Sequence, residues 1–301
     1  MRAREPDSSG FIERDGVHVH WERFGAGGPA ILFFHADPIV NAQMWKAQIS
    51  WFARRHTVLA FDPRGNGRSD RPMHAAAYDD DEFIADAIDV LDVNRIERAI
   101  VVGVCQGAGV CLVMAATHPE RVHGVVAINP GLNLSPPHVH RVPGGVGFDD
   151  EPLSDQGWAL QNRHHWLRDW RRFTEFFFGE LLPEPHSTKH REDCVEWSLE
   201  IGPETMLAGW GAAADLRADP AAAEDVCRRV RRPVLVINGD RDMCQPPERS
   251  HRVAELTGGE LLVLEGAGHL PHARDPVKVN LEIDRFVRRI GGRRRVSAGR
   301  H

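Results

Sequence analysis

The chain has 301 residues, of which 42% are hydrophobic and 27% charged, and its formal net charge is -6 at pH 7. This length suits one large core with an insertion, and the acidic balance argues against a nucleic-acid partner. No apolar run reaches the roughly 18 residues of a membrane-spanning helix, and residues 1–9 lack the apolar stretch of a secretory signal, so we expect a cytoplasmic protein without a membrane partner. The odd number of cysteines, five, and their wide spacing predict free thiols.

After a polar start, two runs that suit strands, 11–14 and 17–24, flank Asp15-Gly16, a dipeptide that favours a tight hairpin turn. Short apolar runs typical of buried strands then alternate with segments that have helical spacing. The predicted strands are 30–34, 57–61, 99–103, 122–128, 233–238 and 260–264, and the predicted helices include 81–91, 108–117, 248–256 and 277–290. This alternation predicts an α/β fold with a doubly wound, mostly parallel sheet.

The alternation stops in residues 132–225, which are rich in aromatic residues and histidine and contain no convincing buried strand. We predict a helical cap over 132–225, inserted into a core made of 10–131 and 226–290, with tails at 1–9 and 291–301. The aromatic residues of the cap can form the core of a small helical subdomain, line a substrate pocket, or do both.

A Gly-x-Cys-x-Gly pattern, Gly103 to Gly107, lies between a predicted strand and a predicted helix. A nucleophile at such a turn has a strained backbone, so the positions two residues to either side must be small. The helix that follows points its amino terminus at Cys105, which favours a thiolate and makes the N–H of Gln106 a candidate oxyanion donor. The alternative is that Cys105 is a small buried filler, which is the commoner role of cysteine.

Two further polar residues follow predicted strands at the same edge of the sheet. Asp242 comes after the strand 233–238, and His269 comes after the strand 260–264. Because the carboxyl ends of parallel strands share one edge, Cys105, Asp242 and His269 should meet in one crevice. Taken singly, Asp242 could be a turn former and His269 is one of 17 histidines. Their joint placement predicts a catalytic triad in the order nucleophile, acid, base.

Residues 11–287 resemble the capped branch of the α/β-hydrolase superfamily. The loop 61–69 is similar to that superfamily's D-x-R-G-x-G-x-S turn, and 34–38 is similar to its H-G-x-P oxyanion loop. The resemblance implies that Cys105 is the nucleophile, Asp242 the acid and His269 the base. It also implies oxyanion donors at the N–H groups of Asp37 and Gln106, and structural turn residues at Arg64, Gly65, Gly67 and Ser69.

The sequence departs from the superfamily's pattern at two positions. Cys105 stands where serine is usual, and Ala36 stands where glycine is usual. The methyl group of Ala36 restricts the backbone of the oxyanion loop. The carboxylate of the next residue, Asp37, is either an ordinary exposed group or a partner for an amine on the substrate.

The predicted reaction is acyl-group chemistry through a thioester acyl-enzyme, because thiolate suits activated donors such as esters, lactones and thioesters. The acceptor is either water or an amine, alcohol or thiol. We expect a small-molecule acyl substrate and no cofactor, and the sequence does not distinguish a monomer from a homodimer. The candidate pocket residues are His35, Trp45, His165, Trp166 and Trp170.

Four other interpretations of the sequence compete with this reaction, and two of them are disfavoured. Cys105 could replace a natural serine of a serine hydrolase, or the fold could serve as a ligand-binding receptor without turnover. A carboxylate nucleophile, as haloalkane or epoxide opening needs, is disfavoured because the position holds cysteine. Metal catalysis is disfavoured because no H-E-x-x-H motif or Cys/His cluster accompanies the close histidine pairs, which are 138/140, 164/165 and 186/190. We therefore predict no metal site.

Overall fold

A computed structural model describes residues 4–141, 145–210 and 219–298, which form one sheet of eight strands. The strands are β1 (Ser8–Arg14), β2 (Val17–Phe24), β3 (Ala30–Phe33), β4 (Val58–Phe61), β5 (Ala99–Val104), β6 (Val122–Ile128), β7 (Val234–Gly239) and β8 (Glu260–Leu264). Their order across the sheet is β1-β2-β4-β3-β5-β6-β7-β8.

The sheet is mostly parallel, as predicted. Strands β1 and β2 form an antiparallel hairpin around Asp15-Gly16, where both residues have positive φ, and β2 is antiparallel to β4. All pairings from β4 through β3, β5, β6 and β7 to β8 are parallel. The central strands β3, β4, β5 and β7 are buried along their whole length, which explains their continuous apolar runs.

Helices cover both faces of this sheet, and further helices lie between β6 and β7. They are α1 (Lys46–Phe52), α2 (Asp80–Val93), α3 (Gln106–Thr117), α4 (Arg163–Arg168), α5 (Trp170–Leu181), α6 (Thr188–Ser198), α7 (Pro203–Gly209), α8 (Pro220–Arg229), α9 (Pro247–Thr257), α10 (Pro271–Arg274) and α11 (Pro276–Ala298). Successive side chains of β3 point to opposite faces of the sheet. Ile31 and Phe33 pack in the core that contains α1 and α11, whereas Leu32 packs in the core that contains α2, α3, α8 and α9.

Helices α4 to α7 form the cap between β6 and β7, and the described part of this stretch contains no strand. Two predicted boundaries differ from the structure. Helix α8 packs against α3 and α9, so the predicted cap end at 225 falls inside a helix of the core. Strand β1 begins at Ser8 because it pairs with β2, and α11 continues to Ala298, so both tails are shorter than predicted. Tail residues 1–3 and 299–301 and cap residues 142–144 and 211–218 lie outside the described residues.

The turn that resembles the D-x-R-G-x-G-x-S motif contacts the loop 34–38. The guanidinium of Arg64 binds both carboxylate oxygens of buried Asp86, at 2.6 and 2.7 Å. The side-chain amide of Asn66 donates to the carbonyl of Pro38 at 2.7 Å, and the Ser69 hydroxyl donates to the carbonyl of Asp62 at 2.9 Å. These bonds fix the position of the chain beside the catalytic edge of the sheet.

All five cysteines have free thiols. Within the three described ranges, no helix has both the length and the apolar character that a bilayer span requires.

Candidate active site

Cys105 lies at the turn from β5 into α3 with φ 53° and ψ -121°. A non-glycine residue with this backbone is strained and persists only where its surroundings hold it. Here the N–H of Cys105 donates to the carbonyl of Ile128 at 3.0 Å, and its carbonyl accepts from the N–H of Gly131 at 2.8 Å. The neighbouring strand β6 and the loop after it therefore hold the strained residue in place.

The two glycines of the pattern are required by close backbone contacts. A Cβ added at Gly103 would lie 2.4 Å from the carbonyl group of Gly107. A Cβ added at Gly107 would lie 1.8 Å from the carbonyl oxygen of His35. The N–H of Gly107 also donates to the carbonyl of Ala36 at 3.0 Å, so the turn packs directly on the oxyanion loop. The predicted need for small residues is thus met at both positions.

Asp242 and His269 form a buried pair. Nδ1 of His269 lies 2.7 Å from Oδ2 of Asp242, and the other carboxylate oxygen accepts from the N–H groups of Cys244 and Gln245 at 2.6 and 3.0 Å. Burial alone would lower the pKa of His269, but the Asp242 carboxylate and the neighbouring cysteine sulfurs raise it well above its ordinary value. The acid therefore fixes the orientation of the imidazole and favours its protonated form.

The structure brings the three predicted triad residues together. The sulfur of Cys105 and a ring nitrogen of His269 lie within 4.8 Å of each other. Because Nδ1 of His269 is bonded to Asp242, its other ring nitrogen is the one left to face the sulfur. This arrangement suits a thiol nucleophile, a base and an orienting acid.

A second cysteine, Cys244, lies in the same site and was missed by the sequence reasoning. Its sulfur is within 4.8 Å of both the Cys105 sulfur and the His269 ring nitrogen, and Nη1 of Arg141 lies 2.8 Å from it. The amide nitrogen of Gln245 lies 3.5 Å from the Cys105 sulfur. The available signal was that Cys244 stands two residues after the acid, on the same loop.

The contact between the two sulfurs moves their pKa values in opposite directions. The pKa of Cys244 is lowered because the Cys105 thiol donates a hydrogen bond to its sulfur and because Arg141 is close, although burial opposes this. The pKa of Cys105 is raised by the same contact with Cys244, by burial and by the negative charge on Cys244. The contact with Cys244 therefore favours the protonated form of Cys105 and the thiolate form of Cys244.

Replacing Cys244 with alanine should lower the pH at which Cys105 becomes reactive. The change removes both the hydrogen bond and the neighbouring charge that raise the pKa of Cys105, and it leaves His269 in place to stabilise the thiolate. We expect the midpoint of the pH profile for Cys105 alkylation, followed by peptide mass spectrometry, to shift to lower pH. A midpoint that is unchanged or higher would show that Cys244 does not raise the pKa of Cys105.

Asn129 supports the histidine loop and was also not predicted. Its side-chain oxygen Oδ1 accepts from the N–H of Gly239 at 3.0 Å, and its side-chain nitrogen Nδ2 donates to the carbonyl of His269 at 2.9 Å. The cap supports the same loop, because the His269 N–H donates to the carbonyl of Leu181 at 2.9 Å and the Gly268 N–H donates to Glu184 at 2.6 Å. Asn129 directly follows β6 at the catalytic edge, which was the signal that the sequence offered.

Both predicted oxyanion residues, Asp37 and Gln106, line the cavity together with Cys105. Ala36 is not among the described non-glycine residues with positive φ, so its methyl group causes no backbone strain. The oxyanion role of the two N–H groups stays a prediction, as does a contact between the partly exposed Asp37 and an amine of the substrate.

The cavity beside Cys105 has a volume of about 180 Å³. One part of its wall is aromatic and comes from Trp166 of α4 and from Phe173, Phe177 and Phe178 of α5. Arg141 and Gln161, which bond to each other at 2.7 Å, add a polar part. The wall suits a mostly apolar ligand that carries a polar group.

Of the five predicted pocket residues, only Trp166 lines this cavity. The other four side chains contact different parts of the chain, and their place in a substrate pocket stays a prediction. Trp45 donates its indole N–H to Phe34 at 2.8 Å, Trp170 donates to Ser198 at 2.9 Å, and a ring nitrogen of His165 lies 2.9 Å from the carbonyl of Ser154. His35 is buried against Phe61 and Phe83, where burial lowers its pKa to about 3.

The histidine pairs considered for metal binding are not part of a larger donor cluster in the described ranges. The ring nitrogens of His138 and His140 lie 2.8 and 3.0 Å from the carbonyls of Asp242 and Met243, and that of His164 lies 3.1 Å from the carbonyl of Asp149. The group of three potential ligands that the described residues do form is Cys105, Cys244 and His269.

Known proteins share the fold and the sequence pattern. A family model described as the alpha/beta hydrolase fold matches residues 29–276. The chain is 28% identical to the 2-hydroxymuconate semialdehyde hydrolase of Pseudomonas sp. (strain CF600), over 88% of this chain and 89% of that protein. Among solved structures, the enol-lactonase from Burkholderia xenovorans LB400 aligns with TM-score 0.75 and 18% identity, covering 92% of this chain and 99% of that one. The esterase from Exiguobacterium antarcticum aligns with TM-score 0.75 and 19% identity, covering 92% and 98%.

Proposed function

The chain belongs to the α/β hydrolase fold family, and from this premise we propose that it cleaves an activated acyl donor through a thioester on Cys105. One observation carries the proposal. A cysteine with a strained backbone at the end of β5 has its sulfur within 4.8 Å of the ring of His269, which is bonded to Asp242 at 2.7 Å. Nucleophile, base and orienting acid are the parts that covalent acyl transfer needs.

In the proposed cycle the proton of Cys105 passes to His269, and Asp242 stabilises the imidazolium that results. The thiolate attacks the carbonyl carbon of the donor, and the N–H groups of Asp37 and Gln106 receive the developing oxyanion. The tetrahedral intermediate expels the leaving group, to which His269 returns the proton. A thioester between the acyl group and Cys105 remains.

The donor that we propose is an ester, lactone or thioester with an apolar acyl group. The aromatic wall formed by Trp166, Phe173 and Phe178 supports this choice, because such a wall gains free energy by covering apolar surface. We propose water as the acceptor, since the related protein from Pseudomonas is named a hydrolase. In deacylation His269 takes a proton from water as the water oxygen attacks the thioester carbonyl. The carbon–sulfur bond then breaks, and the Cys105 thiolate leaves and regains the proton from His269.

Intact-protein mass spectrometry tests the proposal with a panel of ester, lactone and thioester donors. We expect one acyl group to be added per chain, and that mass to disappear in buffer. A chase with an amine identifies the acceptor: loss at the same rate with and without amine supports hydrolysis, whereas faster loss with an amide product indicates acyl transfer. If no donor in the panel adds mass and none is turned over, the proposed acyl chemistry is wrong.

A further inference from the structure

The sulfur of Cys244 has no role in the proposed acyl cycle, yet it lies with the Cys105 sulfur and the His269 ring nitrogen in one group whose members are all within 4.8 Å of one another. These three residues come from three separate loops at the carboxyl edge of the sheet. We propose that they form a binding site for a thiophilic divalent cation, Zn²⁺ above all. Occupancy of this site would exclude the acyl substrate.

The donor types favour zinc over harder cations. Two thiolates and one imidazole are a ligand set that zinc accepts, with the fourth position left to water or another small ligand, whereas Mg²⁺ and Ca²⁺ require oxygen ligands. Zinc bonds of about 2.3 Å to sulfur and about 2.1 Å to nitrogen place tetrahedral ligands roughly 3.5 to 3.8 Å apart. The present separations, at most 4.8 Å, need only small side-chain movements to reach that geometry.

The groups around the cluster also suit a metal site. Asp242 accepts from Nδ1 of His269 at 2.7 Å, which leaves the other ring nitrogen to bind the metal. Such a carboxylate behind a ligating histidine is common in zinc proteins and fixes the tautomer of the ring. The same carboxylate accepts from the N–H of Cys244 at 2.6 Å. Asp242 therefore orients two of the three ligands.

Nearby positive charge favours the two thiolates when the cation is bound. Zn²⁺ and the guanidiniums of Arg141 and Arg249 offset the negative charges of the two thiolates and of the Asp242 carboxylate. Arg141 lies 2.8 Å from the Cys244 sulfur, where its N–H can keep donating to a coordinated thiolate. Cys105, Cys244 and His269 all line the cavity, which gives the cation a path of entry, and on binding the thiol protons pass to solvent.

This inference does not depend on the acyl reaction, because occupancy can be read without substrate. The probe is Co²⁺, added to the untagged, fully reduced chain, since a thiolate bound to Co²⁺ produces a charge-transfer band in the near ultraviolet. We expect one equivalent to produce this band and one equivalent of Zn²⁺ to remove it. Binding only to surface histidines would give no such band.

Variants identify the ligands. Cys244→Ala, Cys244→Ser and Cys105→Ala should each weaken or abolish the band while circular dichroism shows a folded chain, and Asp242→Asn should weaken affinity by about 10- to 100-fold. Cys227→Ala is the matched control, because Cys227 is a buried thiol in α8 outside the cavity, and it should bind like the unchanged chain. A band of full strength in both Cys244 variants, or no band in the folded unchanged chain, would overturn the proposal. Acyl transfer to Cys105 in metal-free buffer would still be measurable in either case.

Discussion

His269→Ala should slow acylation of Cys105 by about a hundredfold or more, the usual size of a general-base contribution. The variant removes the ring that lies within 4.8 Å of the sulfur and that Asp242 holds at 2.7 Å. The variant therefore loses the base that takes the proton of Cys105 and returns it to the leaving group. The measurement is the single-turnover rate of mass addition with a donor that acylates the unchanged chain.

The matched control for this variant is His251→Ala, which removes an exposed histidine on α9. It should acylate at the unchanged rate. Raising the pH should partly restore acylation in His269→Ala, because hydroxide can remove the thiol proton that the imidazole no longer accepts. Near-normal acylation of a folded His269→Ala chain at neutral pH would mean that the base has been misassigned.

Asp86→Ala should lower the free energy of unfolding by about 3 kcal/mol, because the buried Arg64 guanidinium loses two charge-assisted bonds and keeps the partly exposed carboxylate of Glu82, 2.7 Å away. Both side chains are almost fully buried, and two charge-assisted bonds of 2.6 and 2.7 Å join them. Arg14, whose Nη2 lies 3.0 Å from Asp86, loses a partner as well. The measurement is unfolding in urea, with the free energy extrapolated to water.

The control is the double variant Arg64→Met/Asp86→Leu, which removes both buried charges and keeps apolar volume. It should be more stable than Asp86→Ala, because the buried guanidinium that loses its bonds to Asp86 is then removed as well. Equal stability of the single and double variants, both near that of the unchanged chain, would show that the ion pair does not hold the turn after β4.

The core could be predicted because its signals are local. Buried parallel strands require continuous apolar runs, and the run at 99–103 and the run at 233–238 both correspond to strands of the sheet. The residues after these strands meet at one edge, which is why Cys105, Asp242 and His269 could be grouped before any coordinates were known. The helix that follows Cys105 was predicted from a local signal too, the helical spacing of residues 108–117, and it begins at Gln106.

The pocket and the second thiol could not be predicted, because they depend on side-chain direction within loops and the cap. Trp45 and Trp170 were expected at the cavity, but each indole N–H has a main-chain carbonyl partner away from it. A buried indole N–H usually has such a partner, and nothing in the sequence says on which side of the ring that partner lies. Cys244 lies near the Cys105 sulfur in a loop that is stabilised by the bond from the N–H of Cys244 to the Asp242 carboxylate, and the sequence does not show this turn.

The central claim is that an acyl group is carried by the sulfur at position 105, although a second thiol lies within 4.8 Å of it. The most direct measurement is to trap the acylated protein with acid during turnover, digest it, and sequence the modified peptide by mass spectrometry. We predict the acyl group on Cys105 and its absence from that peptide in Cys105→Ala. An acyl group found on Cys244 in the unchanged chain, or acylation that persists in Cys105→Ala at the unchanged rate, would contradict the account.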